Sequence, residues 1–194
     1  MKKYELTDEI KEFHDTRTDK SKKLYRIRAL RDFRNIKKGY LGGYIQKEDN
    51  LSHEGDCWVW HKAIVYGDAK IFGNAQVFER AKITGRARVY ENAKVCGGAY
   101  VEYDAQIYGN AQIYGNAQIY GEARVLGHVY GNARVYGDAY ISDKAHISGN
   151  IKILDGVYIF DNVNISGNLE IRGRNSIIYE SDYSASDISY ISRF

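Results

Sequence analysis

The 194-residue chain contains no proline, two cysteines, one methionine and two tryptophans. Without proline, every residue past the first keeps a backbone N–H, so each can donate to a strand ladder and none is forced to interrupt one. Two cysteines, Cys57 and Cys96, are too few for a disulfide framework and match no close metal-ligand pair, so both read as free thiols. The first thirty residues lack an apolar run of signal-peptide or membrane-spanning length and open on the charged Met1-Lys2-Lys3-Tyr4-Glu5. A cytoplasmic location with no membrane partner is the expectation. A large excess of charge of one sign is also missing. The net charge of +3 argues against a generally basic nucleic-acid binder and against an acidic mimic of nucleic acid.

With 44% apolar and 27% charged residues, the chain suits one soluble domain, or one with a small appendage. Its charge is unevenly placed. Between Lys20 and Lys38 nine basic residues face Asp32 alone, whereas the tail from Tyr179 carries Glu180, Asp182 and Asp187 against Arg193.

A fixed period of six dominates the rest. From Gly67 the chain reads GDAKIF, GNAQVF, ERAKIT, GRARVY, ENAKVC, GGAYVE, YDAQIY, GNAQIY, GNAQIY, GEARVL, then a four-residue GHVY, then GNARVY and onward to Ile178. The fifth slot is Ile or Val in every hexad, as an inward-facing strand position requires. The third is Ala from Ala69 to Ala145 and then enlarges to Ile151, Val157, Val163 and Leu169. Asn, Asp and Gly crowd the second slot (Asp68, Asn74, Asn92, Gly98), which predicts positive φ there at a tight corner. Each hexad is one short strand and one corner, a unit that buries its apolar face only against its neighbours. Helical spacing and the longer alternating strands of a membrane barrel both fail to fit.

This pattern resembles the hexapeptide-repeat superfamily, in which three hexads make one triangular coil. The resemblance covers Gly55 to Ile178, including the earlier hexads GDCWVW and HKAIVY. It implies an all-β, single-stranded left-handed parallel β-helix over 55–178, between a non-repeating N-terminal cap at 1–54 and a C-terminal tail or cap at 179–194. The segment from Leu24 to Trp60 is similar to the opening of YdcK-like hexapeptide proteins and their phage and prophage relatives. A phage or prophage setting, with a counter-defence role, is implied by that likeness alone.

Three hexads per coil place the sixth slots in three exterior ladders: Phe72, Tyr90, Tyr108, Leu126, Ser142 and Phe160; Trp60, Phe78, Cys96, Tyr114 and Tyr130; and Tyr66, Thr84, Glu102, Tyr120 and Tyr136. Stacked aromatics stabilise neighbouring strands by roughly 0.2–1 kcal/mol per pair, and they also enrich interface cores. Beside the first ladder the fourth slot stacks Lys70, Arg88, Gln106 and Arg124 with Tyr140 and Tyr158. Phe72, Tyr90, Tyr108, Lys70, Arg88 and Arg124 therefore form a candidate binding surface, and Arg26 and Arg28 of the basic segment are candidates to extend it. A protein target is expected first, nucleic acid being weakly supported by the modest net charge. The flat strip Phe72-Tyr90-Tyr108 also predicts a lateral homo-oligomer, dimer or trimer.

The superfamily resemblance implies a second possibility, an acyltransferase using an acetyl-CoA-type donor at a subunit interface with a histidine as base. If GHVY lacks the second and third slots, His128 and His146 fall one coil apart in one ladder between Gln112 and Asn164, which makes them weak catalytic candidates. No third ligand accompanies them, so neither metal nor cofactor is expected. The projecting loop usual in such transferases is also missing between Gly55 and Ile178. The leading expectation is a non-enzymatic interaction scaffold.

Overall fold

The computed structural model describes residues 2–16, 18–142, 144–173, 177–178 and 182–183. From Trp58 onward the chain forms strands of two or three residues, separated by at most four residues, as at 60–63. Each pairs in parallel with the strand three hexads on: Lys70 with Arg88, Val95 with Ile113, Tyr100 with Gln118. The result is a parallel β-helix of about seven coils with three flat sheets of ten, eight and seven strands. We call these the hairpin face, the imidazole face and the aromatic face.

Because side chains alternate along a strand, slots three and five point inward and slot four outward. Third-slot alanines from Ala69 to Ala145 and fifth-slot Ile and Val from Ile71 to Ile171 are buried along the axis. After residue 145 the third slot holds Ile151, Val157 and Val163, also fully buried, so the interior is rebuilt with larger side chains.

The corners depart from expectation. Positive φ falls in the first slot, for example Gly67 at 68°, Gly115 at 68° and Gly137 at 63°, and not at the second-slot Asn and Asp. The left-handed residue directly follows the sixth slot, which frees the next side chain to bond along the corner. Asn74 donates to Asn92 at 3.2 Å and Asn92 to Asn110 at 3.4 Å. At two first slots that are not glycine the strain is offset: Glu79 and Glu91, at φ 56° and 55°, accept the backbone N–H of Gly97 and Gly109, each at 2.8 Å.

The four-residue unit is also corrected. Gly127 is buried, without positive φ, and its carbonyl accepts the N–H of Gln112 just as the carbonyl of Ala145 accepts that of His128. It therefore occupies the small inward third slot, and the missing pair is the first and second, the whole turn. A Cβ on Gly127 would lie 2.3 Å from the Ser142 carbonyl oxygen and 2.6 Å from that of Ala145. No residue but glycine fits a corner cut this short.

At the N-terminus β1 (Tyr4–Asp15) and β2 (Lys20–Ala29) form an antiparallel hairpin, and β2 pairs with β3 (Leu41–Ile45). β3 in turn runs parallel to the Ile64–Val65 strand, so the hairpin prolongs one face of the solenoid. The apolar cross-section is closed by Tyr4, Phe33 and Trp58, with ring centroids 6.2 and 5.3 Å from Trp58. Lys3, fully buried, donates to the carbonyls of Gly55 and Cys57 at 3.1 and 2.9 Å and to the Cys57 Sγ at 3.2 Å. It satisfies backbone acceptors that the first coil would otherwise leave unpaired.

The hairpin also bends over the outside of its own face. Phe13 and Leu24 pack on Ile64 and Tyr66, with Phe13 and Tyr66 centroids 5.2 Å apart. Tyr66 is consequently fully buried, and Tyr120, between the rings of Tyr100 and Tyr136, is nearly so, which corrects the expectation that the third aromatic ladder is exposed throughout. Beyond Ile178, the 182–183 strand pairs one coil past Asn164–Ile165; the remainder of the acidic tail lies outside the described residues. Among the described residues no helix is long and apolar enough to cross a membrane.

Candidate functional site

The aromatic face carries the sharpest surface feature. Register places Lys70, Arg88, Gln106, Arg124, Tyr140 and Tyr158 in one outward ladder. Beside it Phe72 and Tyr90 stack at 4.8 Å and 3°, and Tyr90 and Tyr108 at 5.1 Å and 2°. Such close stacking uses up both faces of Tyr90 and one face each of Phe72 and Tyr108, and turns the ring edges outward. Partial burial, above all, pushes the Tyr90 and Tyr108 phenols up, so both are neutral donors at physiological pH. Lys70, Arg88 and Arg124 have no ion-pair partner among the described residues. The strip thus combines half-buried apolar edges, hydroxyls and unpaired cations.

Arg26 and Arg28 are not brought to this strip. They lie on β2, where the antiparallel neighbour supplies a carboxylate to each: Arg26 pairs with Glu9 at 2.9 Å and Arg28 with Glu5. The Tyr44 hydroxyl also donates to Glu9, at 2.7 Å, and these hydrogen bonds hold the Glu9 carboxyl below its usual range. Three of the nine cations of the basic segment are paired locally, since Lys37 also meets Asp32 at 2.8 Å.

On the imidazole face His128 pairs in register with His146, between Gln112 and Asn164. The rings stack with centroids 4.6 Å apart at 14°. Burial first, and His146 second, lower the His128 pKa, so this imidazole is neutral at neutral pH and able to accept a proton. Next to Gln112 runs a polar groove of about 230 Å³ lined by Arg34, Asn74, Asn92, Lys94, Asn110 and Gln112. Sequence reasoning missed Arg34, which reaches this groove from the non-repeating segment where no period locates it. Among the described residues no group of three His, Cys, Asp or Glu side chains is placed to hold a metal ion.

The other histidines and the thiols have structural surroundings. His53 stacks on Tyr4 at 4.4 Å and accepts the Lys3 N–H at Nδ1, and His14 lies 3.3 Å from exposed Asp19. Burial raises the thiol pKa of both Cys57 and Cys96, the opposite of what an activated nucleophile requires.

Comparison with known proteins agrees with this geometry. A family model described as YdcK beta solenoid repeat matches residues 129–143, the stretch that follows the shortened corner. The protein named "Uncharacterized acetyltransferase YdcK" from Escherichia coli (strain K12) is 38% identical over 72 residues, 36% of this chain. The aligned region spans only 22% of that relative. Together with the hexad register and the coils, these matches support a hexapeptide-repeat, YdcK-like protein.

Proposed function

We propose that this YdcK-like solenoid is an interaction scaffold whose aromatic face docks an acidic protein surface. The observation that carries the reading is the Phe72-Tyr90-Tyr108 stack flanked by the unpaired cations Lys70, Arg88 and Arg124. Its rings offer mainly positively polarised edges, both faces of Tyr90 being used in the stack, which suits carboxylate-bearing side chains and leaves nucleobases little to stack on. A rigid sheet also holds these groups in place at little entropic cost on binding. The apolar ring edges of the strip also offer a lateral surface to a second copy of the chain. The test is capture by the wild-type chain and by Arg88→Glu/Arg124→Glu from cell lysate, in low and in high salt. An acidic protein retained by the wild type, and lost both on charge reversal and in high salt, supports the reading. Identical profiles from the two chains overturn it.

A second reading, acyl transfer, is favoured by the relative's name and by the neutral His128 next to the polar groove. His128 would act as general base toward an acceptor hydroxyl or amine held by the amide ladder. Acetyl-CoA turnover abolished by His128→Ala, with the fold intact, would establish it in place of the scaffold reading.

A further inference from the structure

The molecule neutralises many of its cations: Lys2 pairs with Glu48, Lys47 with Asp68 and Arg86 with Asp104. A concavity with more unpaired cations than the polar groove departs from this. Between the hairpin and the face it covers lies a groove of about 290 Å³ lined by Lys11, Phe13, Lys62, Ile64, Arg80 and Lys82. It holds four cations and no carboxylate, and among the described residues none of the four has an ion-pair partner. The Lys82 ammonium sits 5.2 Å from the Phe13 ring centroid, and Lys11 sits 5.5 Å from that of Tyr44. The floor is apolar, since Ile64 is almost wholly buried and Phe13 is anchored on Tyr66.

Like charges gathered in a low-dielectric concavity focus the field on whatever enters it. Arginine presents a planar fork to oxyanions, and lysines act as compact point charges on phosphate. A dianion with an apolar part matches both halves of this groove, its charge toward the four cations and its body on Phe13 and Ile64. The volume limits that body to about the size of one ring. We propose that the groove is a binding site for a small phosphomonoester carrying an aromatic or short aliphatic group. It shares no residue with the aromatic face, so it stands or falls separately from the scaffold reading.

The test uses the full chain and phenyl phosphate, with inorganic phosphate and phenol as comparison probes, by isothermal calorimetry in low salt. Saturable binding of phenyl phosphate is expected, with a dissociation constant of about 0.1–1 mM for a ligand of this size. Inorganic phosphate should bind at least fivefold more weakly and phenol not measurably. Arg80→Gln/Lys82→Gln should weaken phenyl phosphate at least tenfold, while Lys144→Gln, at an exposed corner away from both grooves, leaves it unchanged. Circular dichroism checks that both variants are folded. No saturation with phenyl phosphate, equal binding of inorganic phosphate, or an equal loss in Lys144→Gln would each overturn the proposal.

Discussion

Replacing Gly127 with Ala separates two reasons for glycine in this fold. Gly127 has no positive φ, yet a Cβ there would meet the Ser142 and Ala145 carbonyl oxygens at 2.3 and 2.6 Å. Both oxygens are held: that of Ala145 accepts the His128 N–H at 2.8 Å and that of Ser142 the Ala145 N–H at 3.3 Å. Relief requires a backbone shift approaching 1 Å that weakens both bonds, each worth about 1 kcal/mol net, on top of overpacking strain of about 1–3 kcal/mol. The expected loss is about 3 kcal/mol or more. Gly109 is the comparison. It has φ +65°, but its Cβ would find only ordinary contacts, the nearest to Leu126 at 3.6 Å, so Gly109→Ala should cost only the left-handed backbone penalty of about 1–2 kcal/mol. Equilibrium urea unfolding of the two variants and the wild type measures both. Gly127→Ala within about 0.5 kcal/mol of wild type would refute the assignment of Gly127 to the inward slot.

Other predictions follow from burial and charge. Ile113→Asp places a carboxylate in the fully buried core and should cost about 4 kcal/mol or more, whereas Tyr114→Asp in the next, half-exposed slot should leave far-UV circular dichroism unchanged and melting nearly so. Equal damage from the two would mean that the inside and outside are misassigned. Lys3→Met leaves the carbonyls of Gly55 and Cys57 without their donor and should destabilise the N-terminal coil by about 3 kcal/mol, read from earlier proteolysis ahead of the hairpin. Burial lowers the folded-state pKa of both His53 and His128, so their contribution to stability is present above the unfolded value near 6.5 and is lost as pH falls through the folded values. Melting temperature should therefore drop below pH 6.5, and less steeply in His53→Gln/His128→Gln; parallel curves would contradict the assignment. Tyr103, at φ 60° and largely exposed, should gain about 0.5–1 kcal/mol on replacement by Gly, a gain that thermal denaturation detects.

The repeat made the interior legible because a slot that is always Ile or Val has only one physical use. The juxtaposition of His128 and His146 was legible as well, since a unit shortened by two residues keeps the strand slots in phase whichever corner residues are removed. Which residues those were was not. A glycine reads as a corner, and only the Gly127 carbonyl and the room around it reveal an inward slot. The second-slot asparagines misdirected the φ assignment for a related reason, because their turn propensity is here spent on an amide ladder while Glu79, Glu91 and Tyr103 take the strained slot. The pairing of β1 with β2 was the largest omission, although 23–30 reads as a strand and β2 spans Lys20–Ala29. The hairpin residues have no period, so nothing in sequence shows that β1 gives Glu5 and Glu9 to Arg28 and Arg26, or that Phe13 covers Tyr66.

The claim that the aromatic face is the docking surface is tested most directly by photo-crosslinking in cells, with a benzophenone side chain placed at Tyr108 or, on the imidazole face, at Tyr130. From Tyr108 a discrete adduct is expected, either with an acidic protein or with a second copy of the chain, and it should disappear in Arg88→Glu/Arg124→Glu. No adduct from Tyr108, or the same adducts from both positions, would contradict it.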